Sequence, residues 1–188
     1  METPVRVGEP KVLLSLYRKE FITEDFFNPK TGETYTYALI RAGIGIHPVI
    51  VFPVTMDKKV IATRQFRHAA KDVLIELPGG NPKGNQTDVE IVESELKEET
   101  GYAPGRIVQL CPAMWWEPDG LRLQYGCYLA TDCVKVGKLQ LDDIEYIEAE
   151  TFDLRQWIEM IWEGKIIDSK TIVLTMLALP HLGISFQY

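Results

Sequence analysis

The segment LPGGNPKGNQTDVEIVESELKEETGYAP, residues 77–104, constrains the fold of this 188-residue chain more than any other. It passes from a Pro-Gly-Gly breaker through a polar loop into a helix whose two ends are both signalled. Thr87 and Glu90 form a T-x-x-E capping box, and Gly101 stands where a left-handed C-terminal cap falls. On a wheel at about 100° per residue, Glu95, Glu98 and Glu99 share one arc. Val89, Val92 and Leu96 form the adjoining apolar stripe, while Glu90, Glu93 and Lys97 face away. Like charges three or four residues apart on a helix cost roughly 0.2–0.5 kcal/mol a pair. Carboxylates in the last turn also oppose the helix dipole, by about 0.3–1 kcal/mol. Two readings stay open. A solvated acidic face suffices for Glu90 and Glu93, whereas a hard divalent cation with oxygen ligands would remove the repulsion among the other three.

The flanking sequence predicts a mixed α+β domain of mostly antiparallel strands. KVLLSLYRKEFITEDFFNP reads as extended and NPKTGE as a turn into TYTYALIRAG, an N-terminal meander of two or three strands. HPVIVFPVTM and VIATRQFR flank the polar DKK as a hairpin, and DVLIELP is a further short strand. Beyond the helix, GRIVQLCPAMWWEP, LRLQYGCYLATD and IEYIEAETFD are strand-like. DLRQWIEMIWEGK and DSKTIVLTMLALPHL are helical, each opened by an aspartate in capping position. This order lacks the regular βαβ alternation of a doubly wound sheet. Residues 1–43 are read as the meander and 44–188 as the main domain.

A net charge of −7 argues against binding nucleic acid through its backbone, which needs a basic footprint. Cys111, Cys127 and Cys133 are odd in number and lack CxxC spacing, so a disulfide framework or zinc site is not indicated. No signal pattern is visible, and the apolar runs near 43–55 and 171–185 are short and broken, so the expected setting is cytoplasmic, without membrane contact.

Residues 80–102 resemble the Nudix box, G-x5-E-x7-R-E-U-x-E-E-x-G-U, in fixed register. Gly80, Glu95, Leu96, Glu98, Glu99, Gly101 and Tyr102 match; Gln86 replaces a glutamate and Ser94 an arginine. Gln86 keeps the shape without the charge, and Ser94 loses a long cationic donor. RQFRHAAKDVLIELPGG is similar to the ADP-ribose pyrophosphatase branch of that family, as are Pro118, sixteen residues after Tyr102, and the segment EYIEAETFDLRQWIEMIWEGKIIDSKT. The resemblance implies a Nudix fold, mainly antiparallel mixed sheets sandwiched by helices. It also implies hydrolysis of a nucleoside diphosphate linked to X, with ADP-ribose giving AMP and ribose 5-phosphate. Mg²⁺ would be the cofactor, with Mn²⁺ as a substitute. A homodimer would exchange the N-terminal meander.

The implied metal ligands are Glu95, Glu98, Glu99 and the backbone carbonyl of Gly79. Catalytic roles map to Glu95 and Glu99, with Glu145 or Asp142 of the late acidic loop as general base. Arg67 would clamp a phosphate and Arg41 reach a partner's site. Trp116, with Trp115 and Tyr17 as alternatives, would stack on the base, and Pro118 would line the substrate site. After Pro118 the branch pattern P-G-x-[ST]-x-E becomes Pro-Asp-Gly-Leu-Arg-Leu, with Arg122 new. GDP-sugars, dinucleotides and a non-catalytic nucleotide-binding role are the alternatives.

Overall fold

The computed structural model describes residues 1–43 and 46–184. It contains two compact units, one of Met1–Ile46 with Trp115–Gln124 and one of His47–Met114 with the chain from Tyr125 onward.

The smaller unit is built on β1 (Val5–Leu16), β2 (Lys19–Phe27) and β3 (Thr34–Ala42), paired antiparallel in sequence order. The sequence showed no break between the first two strands. Tyr17 and Arg18 make one, with φ of 48° and 62°. Two positive φ values match the strand twist of a tight hairpin, although neither residue is the glycine or asparagine such turns favour. Among the described residues of this unit only Ile22, Glu24 and Leu39 are buried. Many apolar side chains, including Val5, Leu13, Leu14, Leu16 and Tyr17, are about half exposed or more.

Glu24 is the unusual member of that core. Arg122 donates to it through both terminal nitrogens and Arg6 donates at 3.3 Å. The Arg122 guanidinium holds the Glu24 carboxyl below its ordinary range against the opposing effect of burial. Arg122, the departure from the branch pattern, is thus the counter-charge of a buried carboxylate. Arg122→Ala should lower stability by about 2 kcal/mol in urea unfolding, because one guanidinium is left to satisfy a desolvated charge. Arg122→Lys should recover only part, lacking the planar fork.

In the larger unit, β4 (Val49–Thr55) is an uninterrupted apolar run, as expected of a strand covered on both faces. It runs parallel to the second half of β10 (Leu121–Lys135), with Gly126 opposite Val49. It also contacts β5 (Lys59–Arg67), which pairs antiparallel with β6 (Asp72–Glu76) and β11 (Ile147–Asp153). Two-residue strands β7 (Gly79–Gly80) and β8 (Tyr102–Ala103) bracket helix α1 (Asp88–Thr100), and β9 (Arg106–Glu117) pairs with β10. Ile50, Phe52 and Val54 pack with Trp157 of α2 (Leu154–Trp162) and Leu174 of α3 (Ser169–Ala178). Val49 and Val51 pack instead with Ile91, Val92 and Leu96 of α1. Alternation along one strand therefore builds two cores, and the α+β sandwich follows.

Two local expectations are corrected. Val89 is 46% exposed, although it shares the apolar arc. It lies in the first turn, and the buried face is made by Ile91, Val92, Glu95, Leu96, Glu99 and Thr100 further along. Asp153 opens α2 without a side-chain cap, whereas Asp168 caps α3 by accepting from the Thr171 N–H at 2.9 Å. All three cysteines are free thiols. No helix among the described residues is long and apolar enough to cross a membrane.

Candidate active site

The capping box of α1 forms as expected: the Thr87 hydroxyl accepts from the Glu90 N–H and the Glu90 carboxylate accepts from the Thr87 N–H. Gly101 closes the other end at φ 72° and donates to the Lys97 carbonyl. The dipole at this acidic end is met by Lys97 in the last turn and also from outside the helix. Lys135 donates to the Thr100 carbonyl at 2.8 Å and lies 4.7 Å from the Tyr102 ring centroid.

The three clustered glutamates divide into a buried pair and a rim residue. Glu95 and Glu99 are 7% and 6% exposed, whereas Glu98 is only partly buried. Strand β7 is pressed against the pair. The Gly79 N–H donates to Glu99 Oε2 at 3.0 Å, and a Cβ on Gly80 would lie 2.4–2.6 Å from the Glu95 carboxyl atoms. β7 is itself fixed on β4, with Gly79 opposite Ile50 and Gly80 opposite Val49.

Burial pushes Glu99 up to about 8, opposed by the Gly79 hydrogen bond and assisted by the charges of Glu95 and Glu145. Burial likewise pushes Glu95 up to about 7; Lys83 opposes that shift, while Glu98, Glu145 and Asp142 add to it. The late loop therefore adds negative charge to the field at these carboxylates. Its Gln140 N–H donates to the Glu98 carbonyl at 2.8 Å, and the Glu145 carboxylate accepts from the Asp142 N–H at 3.0 Å.

Arg67 on β5 forks onto Glu76 on β6 with two 2.7 Å hydrogen bonds, and Glu76 is 2% exposed. The charges of Glu76 and, more weakly, Glu99 hold the Arg67 guanidinium above its ordinary range. Arg67 has five N–H donors, and Glu76 takes two, so the remaining ones stay available to a ligand. Gly79, Glu95, Glu98, Glu99, Asp142, Glu145 and Arg67 all belong to the larger unit. Arg41, Trp116 and Pro118 belong to the smaller one. There Arg41 pairs with Glu20, and Trp116 and Pro118 are exposed.

The box departures occupy adjacent places. Gln86 Nε2 donates to Ser94 Oγ at 3.3 Å, and Gln86 Oε1 accepts from the Lys83 N–H at 2.7 Å. A neutral bridge thus ties loop to helix where the box carries a charged pair. Lys83 and Glu76 were missed by sequence reasoning. Lys83 sits in the part of the box that carries no pattern, while Glu76 is visible only as the glutamate of ELPGG.

The donor set is all oxygen and partly backbone, which suits Mg²⁺ or Mn²⁺ better than a thiophilic metal. Two carboxylates buried against their charge, with the glycines of β7 packed directly on them, fit a hard cation at β7 and α1. Among the described residues no three His, Cys, Asp or Glu side chains already converge as a ligand cluster, and Glu98 is turned to Lys83.

No family model matches the chain. It is 27% identical over 168 residues to an ADP-ribose pyrophosphatase of Bacillus subtilis (strain 168), covering 84% of this chain and 90% of that protein. A methanol dehydrogenase activator of Bacillus methanolicus is 28% identical over 152 residues, 76% of this chain and 75% of the relative. An ADP-ribose pyrophosphatase of Saccharomyces cerevisiae (strain ATCC 204508 / S288c) is 27% identical over 138 residues, 68% and 59% respectively. Among solved structures, an ADP compounds hydrolase superposes with a TM-score of 0.84 at 15% identity, over 97% of this chain and 96% of that one. In sequence the chain is ADP-ribose pyrophosphatase-like, and its fold is the Nudix fold.

Proposed function

We propose that this chain is a cytoplasmic Nudix pyrophosphohydrolase that cleaves the diphosphate of a nucleoside diphosphate linked to X, with ADP-ribose the first substrate to test. The observation that carries this reading is the buried pair Glu95 and Glu99 held against β7, a costly arrangement without a cation. The ADP-ribose pyrophosphatases among the relatives support the substrate choice.

In this reading Glu95, Glu99, Glu98 and the Gly79 carbonyl hold Mg²⁺ or Mn²⁺, which when bound supplies charge neutralisation at the phosphates and a more acidic water. Arg67, fixed by Glu76, presents its remaining N–H groups to a phosphate oxygen; bidentate geometry suits that contact. Glu145, oriented by the Asp142 N–H, accepts the proton of the attacking water, with Asp142 as its neighbour. Residues 1–43 serve as a dimerisation element that brings Arg41 to a partner's site. The exposed apolar side chains of β1 support that role, since a sheet with so small a core gains most from a second surface.

A panel of ADP-ribose, GDP-sugars and dinucleotides with Mg²⁺ or Mn²⁺ tests the reading, with phosphate-monoester products as the readout. AMP and ribose 5-phosphate from ADP-ribose are expected. Turnover of none of them would overturn the enzyme reading, and turnover of a GDP-sugar alone would replace the substrate. Sedimentation should show a species of twice the 21.4 kDa chain mass. The pair Gln86→Glu with Ser94→Arg should raise kcat a few-fold if the neutral bridge holds the loop less firmly than an ion pair. Unchanged kcat would mean that the bridge suffices.

A further inference from the structure

Lys83 lies in the loop between β7 and α1, and its ammonium is directed back onto the carboxylates. It donates to Glu98 Oε2 and stands 3.9 Å from Glu95 Oε1. The Lys83 backbone is fixed at the same time, because its N–H is held by Gln86, whose other end is on Ser94 of α1. Ser94 lies four residues before Glu98, so a side chain at 94 and the carboxylate at 98 are neighbours on the helix. The short serine cannot reach Glu98 as a longer cationic side chain would, and the loop lysine pairs with it. The charges facing the ammonium come from two elements, Glu95 and Glu98 on α1 and Asp142 in the late loop.

We propose that Lys83 is an internal counter-ion of the carboxylate site, a positioning residue that holds Glu98 in the metal-free protein and must withdraw when a divalent cation binds. The Gln86–Ser94 bridge aims it by fixing its backbone. This rests on the metal reading given above and adds to it a determinant of cation affinity. Since the lysine side chain is about half exposed, its pair with Glu98 has the strength of a partly solvated ion pair. Its loss therefore tightens cation binding modestly.

Mn²⁺ titration followed by electron paramagnetic resonance, without nucleotide, is the test. Lys83→Gln should bind Mn²⁺ about two- to fivefold more tightly than the wild-type chain, while Lys83→Arg, which keeps the charge, should stay near it. In EDTA, Lys83→Gln should unfold at a lower temperature than Lys83→Arg, because repulsion among Glu95, Glu98 and Glu99 is no longer screened. Equal or weaker Mn²⁺ binding by Lys83→Gln would overturn the counter-ion role and leave the metal site standing. Absence of Mn²⁺ binding in all three proteins would remove the metal reading and this role together.

Discussion

Glu99→Gln is expected to lower turnover of the nucleoside diphosphate substrate by about 10²-fold or more, while making the metal-free protein more stable. The two effects have one cause. Glu99 is 6% exposed, and burial pushes it up to about 8. Its ionised form, the one a cation needs, is the form the fold resists. Glutamine keeps the shape and the carbonyl that accepts from Gly79, and it removes the buried charge. The sign of the pH dependence follows. Glu95 and Glu99 both have folded values above their ordinary 4.5. The stability they contribute is therefore complete below the unfolded carboxylate range and is lost as pH rises through about 7 and then about 8. In EDTA the wild-type melting temperature should fall between pH 6 and pH 8.5, and Glu99→Gln should flatten that fall. At pH 8.5 the variant should be more stable by about 1–3 kcal/mol, roughly 2–4 °C for each. A variant that loses activity and also melts earlier at pH 8.5 would show instead that Glu99 holds the fold together.

Most of the helix bearing this residue was legible in the sequence, because its caps are local. Thr87, Glu90 and Gly101 act within a few residues of where they stand, so pattern and geometry agree. The antiparallel pairing of β4 and β5 was legible for the same reason, because their polar turn is local. What the wheel could not supply is how far the sheet extends along the helix, and Val89 was misplaced at its uncovered first turn. Contacts distant in sequence were not legible at all. Arg122 reads as an unexplained departure until Glu24, 98 residues away, is seen beneath it. Lys83 lies 15 residues from Glu98, in a loop whose path no periodicity specifies. Arg67 was legible as a residue type suited to phosphate. Its Glu76 partner depends on the β5–β6 register, in which Arg67 stands opposite Asp72 and Thr63 opposite Glu76. Local chemistry thus marks the carboxylates, while tertiary register decides which cations reach them.

The adjacent glycines of β7 should separate fold from site. Gly79→Ala would put a Cβ 2.3 Å from the Val49 carbonyl oxygen and 2.8 Å from the Ile50 Cα, both backbone atoms of the central strand. Neither can rotate aside, so β7 must leave β4, and the Gly79 N–H leaves Glu99 with it. A loss of about 3 kcal/mol in urea unfolding is expected, together with loss of activity. Gly80→Ala meets first the Glu95 carboxyl group, at 2.4–2.6 Å, which is the end of a side chain. Glu95 can turn away at little cost to the fold, but it then no longer presents its oxygens beside Glu99. Gly80→Ala should therefore keep nearly wild-type unfolding while losing about 10²-fold in turnover and binding Mn²⁺ more weakly. Comparable activity in Gly80→Ala and the wild-type chain would mean that Glu95 does its work from another position. Equal stability of the two alanine variants would mean that β7 is not anchored through its contact with β4.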